Sequence, residues 1–358
     1  MCHVLIFATI LALAGGRPPQ QVAFCGIANG KQNLYVINLD GTGPKQITTS
    51  PAEDHDPVWS PDGSTILFTR VPGHRKGEWR SDGHLWTVRL DGTHLTRLTS
   101  GPVFDSFDSG AWSPDGKRII FDRQGPIPGS YHLDLVTKKI TKPILQMWAP
   151  SFSPDGKWIA YIRSETERED DHRYDIWLTT SMTKKGQRLT TFKTSFSDPQ
   201  WSPNGKDIVF KMEMPSGPGS GDRLCIMSIS SRKIRTIAKG HNNMIEGPRW
   251  SPDGTSLCFI EAKSGQGSMT NASFRQLYVV SADGTGRRRL TDHWGNDYSP
   301  QWTRDGKSLV VQGERGMQRV GVGVTGEPTT NVIVVDSSGR GERILPTGLP
   351  SYSPALGP

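Results

Sequence analysis

Carboxylate side chains recur in the short segments that precede a repeated aromatic-Ser-Pro-Asp-Gly motif, and they are the first residues that could support chemistry. They are Glu53, Asp54, Asp56, Asp105, Asp108, Asp198, Glu246, Asp292 and Asp297. Carboxylates that converge in a narrow pocket focus negative potential and can bind a divalent cation or a basic peptide. The alternative is that each carboxylate accepts backbone hydrogen bonds where a loop or strand begins.

Histidines occupy the same segments and suggest a second kind of site. His55, His241 and His293 each precede a copy of the motif, and His74 and His172 lie in neighbouring loops. Neutral imidazole is a common ligand of transition metals, so the first three are candidate metal ligands. No HxH or HxxxH pair supports a metal directly, and the alternative is a set of single surface histidines.

Aromatic residues outside the motif form a third candidate group. They are Trp79, Trp148, Trp294 and Tyr298, all in predicted loops. Clustered aromatic side chains in loops favour contacts with protein or sugar. The alternative is that each ring packs down onto its own sheet.

The elements that carry these residues follow from the motif itself. It occurs at residues 59–63, 112–116, 152–156, 201–205, 250–254 and 302–306, as WSPDG or a close variant, at spacings of 40 to 53 residues. A unit of about 50 residues that recurs six times is an internal repeat. Within one unit, "DPVWSPDGSTILFTR" and "HLWTVRLDGTHLTRLT" predict four strands joined by tight Pro-Asp-Gly and Asp-Gly-Thr turns.

A single four-stranded meander cannot bury both of its faces, so neighbouring units must stack, and a closed ring achieves this. The sequence therefore predicts an all-β protein, a β-propeller of four-stranded antiparallel blades. Third strands are recognised seven times, from 33–41 to 331–339, which predicts seven blades, with six or eight as the alternatives. The first unit lacks its first strand, and we expect the C-terminal "PSYSPALGP" to supply it, with Tyr352-Ser353-Pro354 in place of Trp-Ser-Pro.

Bulk composition and the N-terminus bound the location and the partners. The net charge is +7, but Lys and Arg are spread along the chain, and the cluster 287–289 is predicted on a solvated outer strand, so no nucleic-acid partner is expected. The apolar run 4–14 is too short to span a bilayer and ends in Ala-Leu-Ala. We therefore expect a signal peptide and short linker over 1–20, one propeller domain over 21–358, and a periplasmic or secreted protein without a membrane span.

Of the four cysteines, Cys25, Cys225 and Cys258 are predicted to behave as small buried hydrophobes.

The repeated WSPDGK, the "IAF"-like second strands and the third strands of the form LYVxNxDGT resemble the TolB-like propeller repeat, which also occurs in the propellers of prolyl-oligopeptidase-type peptidases. The resemblance covers about residues 21 to 356. It implies the propeller fold and, by itself, no activity, because the matching residues form turns and packing contacts. No GxSxG nucleophile elbow occurs in the sequence.

Tight turns fall on one face of such a disc, and the long second-to-third loops and interblade segments fall on the other, where binding residues are expected. We predict a non-catalytic scaffold that binds a protein or peptide partner at the loop-rich face and channel mouth. The predicted contact residues are Asp54, His55, Asp56, Asp108, Asp198, Glu246, Asp297, Trp148 and Trp294. No cofactor is expected, and a divalent cation is the alternative. Carbohydrate is the alternative to a protein or peptide ligand. We expect a monomer.

The alternative function is an enzyme. Oligogalacturonate lyases are seven-bladed and carry a histidine-bound transition metal in a comparable position. Likeness to them implies a metal-dependent polysaccharide lyase or hydrolase with a metal in the central channel. Its ligands here would be His55, His241 and His293.

Overall fold

The computed structural model describes most of the chain, with gaps at the N-terminus and within several loops. The described residues are 19–72, 83–106, 112–141, 147–164, 174–180, 186–191, 194–214, 221–240, 244–263, 274–320, 323–325 and 329–358. They contain thirty β-strands and no helix. Accordingly, no helix in these ranges is long and apolar enough to cross a membrane.

Seven four-stranded antiparallel sheets, numbered here as blades 1 to 7, make up the fold, and the number agrees with the prediction. Blade 1 contains Gln21–Ala28, Lys31–Asn38, Lys45–Gln46 and the C-terminal strand Ser351–Leu356. Blade 2 contains Glu53–Trp59, Thr65–Val71, His84–Arg89 and Thr96–Arg97. Blade 3 contains Phe104–Ser106, Arg118–Gln124, Gly129–Asp134 and Ile140–Thr141, and blade 4 contains Trp148–Phe152, Ile159–Arg163, Asp175–Thr179 and Gln187–Arg188.

The remaining blades follow the same order along the chain. Blade 5 contains Phe196–Trp201, Asp207–Met212, Arg223–Ser228 and Ile234–Lys239, and blade 6 contains Ile245–Trp250, Ser256–Lys263, Phe274–Ser281 and Arg288–Arg289. Blade 7 contains Asp297–Trp302, Ser308–Arg315, Thr329–Asp336 and Glu342–Ile344. Its second and third strands are joined through a small two-stranded sheet, Gln318–Val320 with Gly323–Thr325.

Ring closure depends on the C-terminal strand, as the sequence predicted. Ser351–Leu356 pairs antiparallel with Gln21–Ala28 and becomes the innermost strand of blade 1. Its register differs from the expected one: Leu356, opposite Val22, occupies the place that Trp59 takes opposite Ile66 in blade 2. Tyr352 therefore lies four residues before the aromatic position, and the assignment of Tyr352-Ser353-Pro354 to the Trp-Ser-Pro position was wrong.

The motif aromatics join neighbouring blades, which confirms that they are packing residues. The indole N–H of Trp59 donates to the carbonyl of Ala355 on blade 1 at 2.9 Å. The same bond recurs from Trp201 to Ser151, from Trp250 to Gln200 and from Trp302 to Arg249, at 3.1 to 3.3 Å. Each links an inner strand to the preceding one, and the buried cores lie between the blades, where residues such as Ile162 and Phe210 pack together. Cys25, Cys225 and Cys258 are buried and unbridged in these cores.

The Ser-Pro-Asp-Gly hairpin has the chemistry that its residues predict. In blade 2, Asp62 accepts hydrogen bonds from the Ser60 hydroxyl and the Ser64 amide, and Gly63 takes the left-handed conformation at φ 71°. The equivalent Ser or Thr hydroxyl donates to the turn Asp or Asn in the other five copies. A left-handed turn residue is best supplied by glycine, which explains the fixed Gly of the motif.

A second repeated feature is a β-bulge in the inner strand. In six blades the residue three before the aromatic position has a positive φ of 47° to 56° and is followed by proline; these residues are Asp56, Ala149, Asp198, Gly247, Ser299 and Ser353. The strand register shifts at this point in every one of them. Bulges re-aim the side chains on either side, so this one determines which residues face the channel.

Removal of residues 351–358 should destabilise the whole ring. The truncated chain would lose the inner strand of blade 1 and the carbonyl that accepts the Trp59 indole bond. Because several kcal/mol of pairing and burial are lost, we expect the Tm to fall by roughly 10 °C. Thermal unfolding followed by circular dichroism measures this, with a chain lacking only Pro358 as the control. Equal Tm values for the two truncations would contradict closure by this strand.

The turn aspartates should make folding sensitive to acid. The Ser251 hydroxyl, and next the Thr255 amide, hold the pKa of Asp253 below its ordinary 3.8. Since the folded pKa lies below the unfolded one, the stabilisation is complete above about pH 3.8 and is lost as the pH falls through the folded pKa. Asp253→Asn should therefore flatten the decline in stability below about pH 4, measured by urea unfolding at a series of pH values.

Blade 5 provides the reciprocal control, because Asn204 already accepts the equivalent bonds from Ser202 and Lys206. Asn204→Asp should steepen the decline in acid. Parallel pH profiles for wild type and both variants would count against this role of the turn carboxylates.

Candidate functional site

One register position carries solvent-accessible side chains on the inner strands of six blades. It lies four residues before the aromatic position, just ahead of the bulge, and is occupied by His55, Trp148, Ser197, Glu246, Tyr298 and Tyr352. All six side chains are exposed or half-buried, whereas the residue before each is buried. We call these six residues the mouth ring. The bulge residues Asp56 and Asp198 follow directly and also reach solvent.

Asp54 and Asp297, both predicted contact residues, occupy the buried position one step earlier and are wholly inaccessible. The Asp54 carboxylate accepts from Arg70 Nε at 2.6 Å, from Arg70 Nη2 at 2.9 Å and from the Thr48 hydroxyl at 2.6 Å. Asp297 accepts from Arg315 Nη1 at 3.0 Å and from the Thr291 hydroxyl at 2.6 Å. These carboxylates therefore join the inner strand to its neighbours and are not exposed at the mouth.

His55 and Asp56 lie at the junction of blades 2 and 1. The Gln32 amide donates to His55 Nδ1 at 2.9 Å, which leaves the ring proton on Nε2, 3.5 Å from the Glu53 carboxylate. Asp56 is exposed and accepts from the Ser353 hydroxyl at 2.9 Å. This side of the mouth presents carboxylate oxygens and an imidazole to solvent.

Glu246 and Tyr298, from blades 6 and 7, meet on a shared arginine. Arg275 Nε lies 3.0 Å from Glu246, and the guanidinium stands over the Tyr298 ring at 5.5 Å. Burial, and then the charge of Glu314, raise the pKa of Tyr298 above 10, so its phenol is neutral. Glu246 is thus an ion-paired member of the mouth ring, which leaves less negative charge there than the sequence alone suggests.

The two predicted tryptophans are exposed on the loop-rich face. Trp148 is 42% exposed, and Trp294 is 37% exposed while its ring packs edge-on against Phe274 at 5.2 Å. Two further large apolar side chains on this face, Ile127 and Met244, are 53% and 49% exposed. Exposed apolar side chains near a ring of polar ones are typical of a contact surface.

The candidate metal ligands are not brought together by the described part of the structure. His55 bonds to Gln32 in blade 1, while His293 Nε2 lies 3.1 Å from the buried Asp297 carboxylate. Across the described ranges, no three His, Cys, Asp or Glu side chains are close enough to hold a metal ion. His241, Asp108 and Trp79 lie outside the described residues.

Below the mouth, the inner strands of blades 1, 2, 5, 6 and 7 surround a central cavity of about 590 Å³. Its charged lining residues are Asp56 and Arg249, and its polar ones include Gln200, Gln301 and Ser353. The edges of Trp59, Trp250 and Trp302 complete the wall. The volume lies within the range of about 300–1,000 Å³ that is usual for ligand pockets.

Comparison with known proteins assigns the family. The model of the TolB β-propeller domain matches residues 17–121 and 136–275. The chain belongs to the TolB β-propeller domain family. The match ends before blade 7, whose motif reads WTRDG, but that blade has the same four strands as the other members of the ring.

Relatives within and beyond this family are mostly longer proteins. An uncharacterized peptidase, YuxL of Bacillus subtilis, is 26% identical over 49% of this chain and 31% of its own length. Dipeptidyl-peptidase 5 of Porphyromonas gingivalis is 23% identical over 80% of this chain and 41% of its own length. This TolB-type propeller therefore spans a third to two-fifths of these relatives.

Among solved structures, an oligogalacturonate lyase in complex with manganese superimposes with a TM-score of 0.65. The alignment covers 89% of this chain and 87% of that one at 15% sequence identity. At this identity the likeness establishes a common propeller fold and carries no activity with it.

Arginines at the ends of second strands are site-forming residues that the sequence analysis missed. Arg70, Arg123 and Arg315 each bind a buried carboxylate at the start of an inner strand. A signal was present: Thr48 and Asp54, Thr99 and Asp105, and Thr291 and Asp297 share one six-residue spacing, and each of these units has an arginine that ends or nearly ends its second strand.

Asp54→Asn should destabilise the fold, whereas Asp56→Asn should not. Removing the Asp54 charge leaves the Arg70 guanidinium buried without a counter-ion, which should cost about 3 kcal/mol of unfolding free energy. Asp56→Asn changes an exposed side chain, and asparagine also tolerates the left-handed conformation, so we expect a change within about 0.5 kcal/mol. Urea unfolding compares the two; similar losses would contradict the division into buried and mouth positions.

Proposed function

We propose that this TolB-type propeller is a non-catalytic scaffold that binds a protein or peptide partner at its loop-rich face and channel mouth. The observation that carries the proposal is the mouth ring: the inner strands of six blades carry chemically different, solvent-accessible side chains at one shared register position. A rigid strand framework holds them, and rigid presentation lowers the entropy cost of binding. We also propose an exported protein, because the run 4–14 has the pattern of a secretory signal.

The chemistry of the mouth suits a peptide. Trp148 and Tyr298 offer aromatic surface, His55 and Ser197 offer hydrogen-bonding groups, and Asp56 offers a carboxylate for a basic side chain. Aromatic anchors surrounded by polar groups are the usual composition of protein-binding sites. The open edges of the inner strands, whose outer sides pair with the second strands, supply backbone groups to the channel.

Several features of the described residues favour binding over catalysis. The buried carboxylates Asp54 and Asp297 are ion-paired with arginines, so neither is available as a general acid or base. Of the candidate metal ligands, His55 and His293 are held by separate partners on different blades. Elemental analysis of the purified chain without a tag tests the alternative: stoichiometric manganese or zinc would replace this proposal with a metal-dependent enzyme.

Trp148→Ala should weaken partner binding, and Trp158→Ala should not. The two side chains are 42% and 40% exposed, but Trp158 follows a Ser-Pro-Asp-Gly hairpin on the opposite face. Peptides selected from a displayed random library against the immobilised chain provide the probe. Loss of an interface tryptophan should reduce their affinity roughly tenfold or more, measured by biolayer interferometry.

The controls separate the two faces and the fold. Both variants should retain the wild-type Tm, because each alters an exposed ring. Peptides that bind Trp148→Ala as tightly as wild type, or that lose affinity for Trp158→Ala alone, would place the binding surface elsewhere.

A further inference from the structure

Arg249 is a cation in the central channel that has no counter-ion among the described residues. It lies one residue before the aromatic position of blade 6, is half-buried and lines the cavity of about 590 Å³. Among the described residues, its guanidinium makes one hydrogen bond, from Nη1 to the carbonyl of Pro248 at 3.0 Å, and no ion pair. Arg70 and Arg315, by contrast, each bind a buried carboxylate.

Its surroundings disfavour an unpaired charge. Burial lowers the pKa of Arg249 from its ordinary 12.5, and electrostatic interactions with Cys258 and Asp198 oppose this only in part. Asp198 lies on the inner strand of blade 5 and acts without forming an ion pair with Arg249. Even a half-buried cation loses part of its hydration when it has no partner, so an anion at this point would stabilise the site.

The neighbouring blades place amides at the same register position. Gln301, on blade 7, is fully used: it donates to the carbonyl of Pro354 and accepts from the amide of Leu356. The Gln200 side chain, on blade 5, lines the cavity and has no hydrogen bond to any described residue. The channel therefore contains a guanidinium fork and a spare amide donor, set among the rings of Trp250 and Trp302.

We propose that Arg249 and Gln200 form a carboxylate-binding site inside the channel, and that its ligand is the C-terminal carboxylate of a peptide that enters through the mouth. A guanidinium fork matches the two oxygens of a carboxylate. Arg249 is the one cation among the described residues that line the cavity, and Asp56 and Asp198 lie nearer the mouth; this favours a monoanion over a phosphate, which carries more charge. The proposal deepens the proposed function and rests on it for the peptide; the carboxylate site itself depends only on the channel.

The test is calorimetric titration of the full chain with acetyl-trialanine and with its C-terminal amide. The free acid should bind at least tenfold more tightly than the amide. Arg249→Gln should reduce affinity for the acid at least tenfold, and Arg249→Lys should fall between, because an ammonium keeps the charge but lacks the fork. Arg340→Gln, at an exposed turn of blade 7, should leave affinity unchanged.

A second variant keeps the test decisive if Arg249→Gln does not fold. Gln200→Glu supplies a carboxylate inside the cavity, so it should abolish binding of the acid and raise the Tm. Three results would overturn the site: equal binding of acid and amide, wild-type affinity in Arg249→Gln, or no binding of the acid at about 10 mM. The last would do so because a charge pair inside the cavity should bind with a Kd below about 1 mM.

A third titration distinguishes a peptide from a sugar acid as the source of the carboxylate. Glucuronate and glucose are titrated in parallel, and binding of glucuronate but not of acetyl-trialanine would overturn the peptide assignment. If no acid binds while selected peptides still depend on Trp148, this inference fails and the proposed function stands. If acid binding does not depend on Arg249 and peptide binding does not depend on Trp148, both this inference and the proposed function fail.

Discussion

Seven blades bury their faces only when the ring is closed, and closure rests on the pairing of Ser351–Leu356 with Gln21–Ala28. An open ring would leave an unpaired strand edge in blade 1 and remove the acceptor of the Trp59 indole bond. Each blade contacts mainly its two neighbours, so the indole-to-carbonyl bonds transmit this constraint from one inner strand to the next. The mouth ring depends on it, because residues from six blades face one opening only if every inner strand keeps the same height and register.

The backbone conformation at the bulge before the motif is locally unfavourable, and the surrounding sheet stabilises it. A residue before proline avoids helical conformations, and a non-glycine residue at positive φ costs of the order of 1–3 kcal/mol. Five of the six bulges nevertheless carry such a residue, and only Gly247 avoids the cost. Strand pairing continues on both sides of the bulge, as at His55 and Val58, so the surrounding sheet imposes the conformation. In return, a buried residue and an exposed one become immediate neighbours at the channel mouth.

This geometry explains which features the sequence could predict. The hairpins, the blade count and the C-terminal strand follow from short signals that repeat, so each copy supports the others. Asp54 and Asp56 look equivalent in the sequence, yet one is buried against Arg70 and the other is exposed, because strand register and the bulge decide their environments. For the same reason Tyr352 was assigned four residues away from its true position, at a strand whose aromatic site holds a leucine. Arg249 gave no local signal, since its isolation depends on what three blades place around it.

The sign of the charge changes along the channel, and this polarity limits what can enter. Asp56 and Asp198 stand at the bulge, while Arg249 lies two residues further along its strand, about 6–7 Å deeper. Under the proposed function, a polyanion such as a nucleic acid would meet these carboxylates first, and they would disfavour its entry despite the net charge of +7. A peptide with a basic or neutral body and one terminal carboxylate would suit both charges, provided that it enters carboxylate first. Its carboxylate would then reach Arg249 while its body lies beside Asp56 and Asp198. If the proposed carboxylate site binds a peptide, channel electrostatics would select the direction of entry as well as the class of ligand, which a ring of carboxylates alone could not do.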